Sequence, residues 1–335
     1  MIRNPRVRRG ATIVGAIVLT VVIVSVVVLA LGGDPARAFT ALWTGAFGSP
    51  FTTGQVVAIA GVLTLTGIAA AIPFRAGLWN VGGEGQLFAG AIGSVSTALV
   101  IGPGPVTLIA ALVVGAVCGS AWALVPGILK ATLGASEMIV SLLMNFVAVF
   151  AAEWVIRHAF PDMSGQATQF VDPSARFPVL WAQGGVNVGI LLALLIAVAA
   201  SVMMTRTRLG FGIRAVGLGE RAAVLAGFGS RSTTLWTFAI AGASAGTAGA
   251  LLVLGTYGQL AEGISSSYGF IGVVVALVAG LRVAWVPLSA ALFAALLVGS
   301  NGLQISAGLP FSLGIVIIGV LVLTLLATRV IILRK

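Results

Sequence analysis

The sequence alternates long uncharged runs with short charged gaps. No charged residue occurs from Ala11 to Leu31, from Ala38 to Phe74, from Gly85 to Leu129, or from Val283 to Ala327. The hydrocarbon core of a bilayer is about 30 Å thick, and an α-helix crosses it in roughly 20 apolar residues. Backbone in lipid must satisfy its own hydrogen bonds, which leaves helices or closed barrels. These runs are continuously apolar rather than alternating, so they read as helices. The balance of the chain agrees: 59% of its 335 residues are hydrophobic and 8% are charged. A soluble domain carries about 25% charged residues. The mean hydropathy is +1.15 and the pI about 11.5. The basic excess sits in gaps between apolar runs, so it fits a membrane edge better than nucleic acid.

Ten candidate spans follow, near 11–31, 55–73, 85–101, 105–128, 137–157, 186–204, 235–254, 268–281, 285–300 and 311–328. The eighth and ninth are short and read as a tight pair or one bent, re-entrant unit. The first run follows Arg3, Arg6, Arg8 and Arg9, and Ala36-Arg37-Ala38 has the form of a signal-peptide cleavage site. Its length exceeds an ordinary signal-peptide core, so a retained anchor at 11–31 is expected. With the amino terminus inside, 15 of the 18 basic residues fall in cytoplasmic segments, leaving Arg37, Arg157 and Arg176 outside. That asymmetry is the positive-inside pattern, and it places both termini in the cytoplasm. The expected architecture is an all-α polytopic membrane protein with about 10 transmembrane helices. It is a single transmembrane permease domain over 1–335, with its core over 55–328 and lipid as its surroundings.

Several chemistries are absent. The only lysines are Lys130 and Lys335, and neither follows a glycine, so no phosphate loop for ATP exists. His158 is the single histidine and Cys118 the single cysteine, which excludes a disulfide within the chain and a paired-histidine metal helix. Gly242-Ala243-Ser244-Ala245-Gly246 has the G-x-S-x-G form. It lies in an apolar run, where small residues let helices approach closely. Packing is the stronger reading, and an intramembrane serine protease using His158 is a remote one.

Three stretches stand out. GLWNVGGEGQ, residues 77–86, breaks the apolar pattern with four glycines and three polar side chains beside a tryptophan. It is either a plain cytoplasmic turn or a helix interrupted inside the protein, near 73–86, as transporters use to reach a solute. At the start of the fifth span, Glu137, Ser141 and Asn145 lie at i, i+4 and i+8 and share one helix face. Asn145 reads equally as interhelical glue or as a path-lining residue. The inner segment 205–234 holds five arginines and ERAAVL, residues 220–225, suited to a short helix that docks in a partner's groove.

Together these stretches resemble the ABC importer permeases for simple sugars, nucleosides and branched-chain amino acids, most closely the nucleoside and simple-sugar branch. GLWNVGGEGQLF resembles that branch's G-[LF]-[FW]-N-[IV]-G-x-E-G-Q signature. SEMIVSLLMNF resembles N-E-x-I-x-x-[LI]-M-x-N, with Ser136 in place of the first Asn. Thr207, Gly210, Arg214, Ala215, Gly217, Ala222, Ala223 and Gly227 follow the T-x-x-G-x-x-x-R-A-x-G and A-A-x-x-x-G pattern, with Gly219 where Asn is usual. The resemblance implies a non-catalytic permease subunit of the bacterial plasma membrane that binds no cofactor, with ATP on a partner ATPase. It implies a second permease chain, a heterodimer in preference to a homodimer, and an extracytoplasmic solute-binding lipoprotein. Asn80, Glu84, Gln86, Ser141 and Asn145 become candidates for the substrate pathway. Arg214, Gly217, Glu220, Ala222, Ala223 and Gly227, around a cytoplasmic coupling helix near 217–227, become candidates for ATPase coupling. An ion-coupled secondary transporter is the alternative; it would need internal repeats, and none is visible.

Overall fold

A computed structural model describes residues 5–310 and 312–333, with side chains described from Gly15 to Ala327 apart from Phe311. Arg3, Arg334 and Lys335, and the side chains of Arg6, Arg8, Arg9 and Arg329, lie outside that description. The helices are α1 (Pro5–Ala30), α2 (Pro35–Phe47), α3 (Pro50–Arg75), α4 (Gly83–Ile101), α5 (Pro105–Leu133), α6 (Glu137–Trp154) and α7 (Gly189–Arg206). They continue as α8 (Arg208–Leu218), α9 (Glu220–Leu225), α10 (Ser230–Leu251), α11 (Tyr268–Val278), α12 (Val286–Ala307) and α13 (Ser312–Leu333). A small antiparallel hairpin, β1 (Val179–Trp181) and β2 (Val186–Asn187), lies between α6 and α7. The chain is a largely helical, polytopic membrane protein.

Seven of the described helices are long and apolar enough to cross a membrane, or eight if the pair formed by α1 and α2 counts as one broken span. That is fewer than the ten expected. The main difference is at 268–281. Its helix, α11, has 11 residues, about 16 Å at 1.5 Å per residue, and cannot cross alone. The apolar composition of 268–281 concealed this, because hydropathy does not show where a helix begins. The segment 311–328 is helical as expected, although its described part is shorter than a full span by this measure.

The chain forms two compact units. One consists of the described residues up to Val56 and from Leu292 onward. In it α1 packs on α13, with a Thr20–Thr324 hydroxyl bond of 2.7 Å. Val24, Val28, Leu303, Leu309, Leu313 and Ile317 form its core. α2 turns back from α1 by 111°. Asp34 caps it by accepting from the Ala36 N–H at 2.9 Å, and Pro35 follows at the first helical position. Ala36-Arg37-Ala38 is therefore the first turn of a helix.

The other unit, Val57–Ala291, carries the three stretches singled out in the sequence. Its centre is a triple contact of α4, α5 and α10 through glycine. A Cβ on Gly90 would lie 2.2 Å from the Gly246 carbonyl oxygen, one on Gly119 2.4 Å from the Gly242 oxygen, and one on Gly249 2.1 Å from the Leu87 oxygen. Close approach of backbones replaces the hydrophobic drive that helices lack in lipid. Ser244 belongs to this packing: its hydroxyl donates to the Leu65 carbonyl at 2.8 Å, which commits the group to joining α10 and α3. His158 instead lies exposed beyond α6, bonded to the Trp154 carbonyl at 3.2 Å.

Candidate functional site

The break after α3 is a re-entrant return inside the protein. α3 ends at Arg75, and the chain turns at Gly77, whose φ of 73° is in the left-handed region that favours glycine. Residues 79–82 then run back alongside α3. The Asn80 amide reaches the Ala69 carbonyl at 3.1 Å, six residues and about 9 Å back from Arg75. α4 begins only there, at Gly83.

A set of buried side chains holds the return in place. Asn80 and Gln86, each 1% exposed, bond to one another twice: Gln86 Nε2 donates to Asn80 Oδ1 at 2.8 Å and Asn80 Nδ2 donates to Gln86 Oε1 at 3.2 Å. Asn80 Oδ1 also accepts from the Gly82 N–H at 3.2 Å. The polar face of α6 supplies the opposite wall. Glu137 accepts from the Trp79 N–H at 3.2 Å, and Ser141 accepts from the Val81 N–H at 3.3 Å. Asn145 accepts from the Gly85 N–H at 2.8 Å and donates to the Val81 carbonyl at 3.0 Å. The i, i+4, i+8 spacing thus becomes a ladder reading successive backbone groups of the return. Lys130, at the end of α5, completes it with a 2.8 Å ion pair to Glu137.

Glu84 points elsewhere. It is 6% exposed, and its Oε2 accepts from the Gly269 N–H at 2.7 Å, at the start of α11. All five pathway candidates are therefore buried and gathered in one region of this unit. Their named bonds run to protein groups, mostly backbone.

Sequence reading missed the partner of Glu84. Gly263-Ile264-Ser265-Ser266-Ser267-Tyr268-Gly269 is polar between apolar runs, the same signal that marked 77–86. Ser266 and Ser267 have φ of 44° and 66°, and the turn after α11 includes Leu281 at 58°. Non-glycine residues in this region cost of order 1 kcal/mol each and persist where the surroundings over-determine them.

The coupling candidates sit beside the inner turn of the return. Arg214, on α8, bonds to the Met204 carbonyl. Gly217 is pressed on the end of α3, since a Cβ there would lie 2.1 Å from the Arg75 carbonyl oxygen. Glu220 starts α9 and accepts from the Ser230 hydroxyl at 2.6 Å. Gly227, with φ of 84°, lets the chain leave α9. The helix is six residues long, shorter than the 217–227 expected. Ala222 and Ala223 do not share a surface: Ala222 is exposed and Ala223 is 3% exposed. Leu218 and Leu225, exposed at 92% and 89%, were not singled out from the sequence. A cleft of about 580 Å3 between α9 and the return is lined by Gly77, Lys130, Gly217, Glu220 and Arg231 among others. Among the described residues no cluster of His, Cys, Asp or Glu could hold a metal.

A polytopic helical unit with a re-entrant segment, a half-length helix and a short exposed helix at one end has the parts of a transport permease. The model of the branched-chain amino acid transport system permease component matches residues 52–326. The chain belongs to this family, as a multi-pass permease of ABC importers in the plasma membrane. Its relatives include the guanosine ABC transporter permease protein NupP of Bacillus subtilis, 33% identical over 92% of this chain and 90% of its own length. The nucleoside ABC transporter permease protein NupB of Lactococcus lactis is 32% identical over 92% of this chain and 88% of its own. The glucose ABC transporter permease protein TsgB13 of Haloferax volcanii is 32% identical over 91% and 83%. No solved structure matches the chain.

Proposed function

We propose that this chain forms part of the pathway of an ATP-driven importer for nucleosides. The observation that carries the solute class is the likeness, over 92% of this chain, to permeases named for guanosine and for nucleosides. Simple sugars are the second reading, favoured by the comparable likeness to a glucose permease. The chain itself binds no cofactor; ATP is bound and hydrolysed on a separate ATPase. A second permease chain, as a heterodimer, completes the pathway, and an extracytoplasmic lipoprotein delivers the solute.

In this reading the Arg75 end of the larger unit and both termini face the cytoplasm. α11 and the irregular segment before it together make one crossing, which keeps the number of crossings even. Asn80, Glu84, Gln86, Ser141 and Asn145 fix the re-entrant wall of the pathway, and the solute meets the groups they hold in place. α9 docks on the ATPase through the exposed side that carries Ala222 and Leu225. Arg214, Gly217, Glu220 and Gly227 hold α9 against the return, so movement of the ATPase reaches residues 77–82.

The test is uptake of labelled guanosine and glucose by cells with and without the gene. Guanosine uptake lost on deletion and restored by the wild-type gene supports the nucleoside assignment. Loss of glucose uptake alone moves the solute to the sugar class, and no change for either overturns the solute assignment.

A further inference from the structure

Two helices that run in opposite directions begin at one buried point of the larger unit. α4 starts at Gly83 and runs to the Gly104 turn, which is held from the far end by the Ser174 hydroxyl at 2.9 Å. α11 starts at Tyr268 and runs the other way. Its Gly272 packs against Thr66, nine residues before Arg75, and the Arg75 Nε donates to the Leu281 carbonyl just beyond its end at 2.9 Å. The starting points of α4 and α11 are in contact: a Cβ on Gly269 would lie 2.1 Å from the Glu84 nitrogen. The start of a helix carries about half a positive charge. Two such ends brought together away from water repel each other.

Glu84 sits between them. It belongs to the first turn of α4, and its carboxylate bonds to the N–H groups of Gly269, Ser267 and Phe270 and to the Ser265 side chain. The backbone partners are all donors, so the geometry suits the ionised, acceptor-only form. Among the described residues no Lys, Arg or His forms an ion pair with it. One negative charge therefore faces two half-positive helix ends. The consecutive left-handed Ser266 and Ser267 lead into the same donor cluster.

We propose that Glu84 is a built-in counter-ion that fills the anion site created by these opposed helix ends, so that the pathway accepts uncharged solutes and rejects anionic ones. The solute half rests on the reading that residues 76–86 wall the pathway; the counter-ion half does not. Half-helix starts in other transporters receive anionic groups of the solute. Here a side chain already holds that place, which suits a nucleoside or free sugar and not a phosphorylated or carboxylated one.

Thermal melting of the purified full chain, with Glu84→Gln and Glu84→Ala, tests the first half without any solute. Wild type melts at the same temperature with and without formate. Both variants melt lower, and formate restores Glu84→Ala saturably, whereas gluconate at equal ionic strength, too large for the space, does not. Glu84→Gln melting as wild type overturns the counter-ion, and so does a folded Glu84→Ala that formate does not restore. If Glu84→Ala fails to fold, Glu84→Gln decides. The second half is read in guanosine uptake challenged with guanosine monophosphate. Wild type is insensitive and Glu84→Gln becomes inhibited; equal insensitivity of the two overturns the charge filter. Absence of guanosine uptake by the wild type would count against the nucleoside reading and leave the melting result standing.

Discussion

Asn80 and Gln86 hold each other by a pair of amide hydrogen bonds, 2.8 and 3.2 Å long, at a site where both are 1% exposed. The pair closes the re-entrant return on itself across six residues. Asn80→Ala leaves the Gln86 amide, the Gly82 N–H and the Ala69 carbonyl short of a partner. Each orphaned buried group costs about 1–3 kcal/mol. We expect Asn80→Ala and Gln86→Ala each to lower the melting temperature and the rate of uptake. The double variant should be much less damaging than the sum, because the two share one interaction. Additive losses in a melting series would show that they act separately.

The ladder on α6 should respond in a graded way. Asn145 makes two bonds to the return, at 2.8 and 3.0 Å, whereas Ser141 makes one at 3.3 Å. Asn145→Leu keeps the volume and leaves the Gly85 N–H and Val81 carbonyl unpaired, for a loss of about 2–4 kcal/mol at the usual cost per group. Ser141→Ala should lose about 1 kcal/mol or less. Equal melting temperatures for the two variants would mean that the ladder does not hold the segment.

The polar positions of this site were legible in the sequence, and their partners were not. The spacing of Glu137, Ser141 and Asn145 defines a face, but that face binds backbone groups of Trp79, Val81 and Gly85. Backbone groups leave no mark on composition, and these lie about 60 residues earlier in the chain. The length of α11 was hidden for a different reason. Ser265 to Ser267 lie beside an apolar run, and only the left-handed turn and the Glu84 contact fix where the helix starts. α2 carried a visible start signal in Asp34-Pro35, obscured by Arg37 within an otherwise apolar segment.

The glycine contact of α4, α5 and α10 predicts a steric threshold. A methyl at Gly246 would lie 2.4 Å from the Gly115 carbonyl oxygen, well inside van der Waals distance, and the obstacle is backbone. Gly246→Ala should therefore prevent stable assembly of the larger unit, seen as loss of a monodisperse peak in detergent. Gly319→Ala on α13, with no atom within 4 Å of the added carbon, is the matched control and should be neutral. Normal behaviour of Gly246→Ala would mean that the helices can part at little cost.

The loop between α6 and α7 should loosen in acid. The Ser174 hydroxyl and N–H hold the Asp172 carboxyl below the usual range, and the same hydroxyl accepts from the Gly104 N–H. A carboxyl with a lowered folded value stabilises the fold fully above its unfolded value, near 3.9. That stabilisation is lost as pH falls through the folded value. Hydrogen exchange at Gly104 should therefore be faster in Asp172→Asn than in wild type at neutral pH. The two should converge in strong acid, once intrinsic exchange is corrected for. A difference that stays constant down to the lowest pH would exclude the carboxylate as the cause.

The neighbouring alanines of α9 should separate folding from coupling. Ala222 is exposed and Ala223 is buried at 3%, although the sequence gives no way to tell them apart. Ala223→Trp has no space inward, so the variant should melt lower and lose uptake with it. Ala222→Trp enlarges only the outer side, beside Leu225, which is 89% exposed. It should melt as wild type and assemble, yet lose uptake by an order of magnitude or more while ATP hydrolysis by the complex no longer rises with loaded binding protein. Wild-type stimulation of hydrolysis in a folded Ala222→Trp complex would move the coupling contact away from this face of α9.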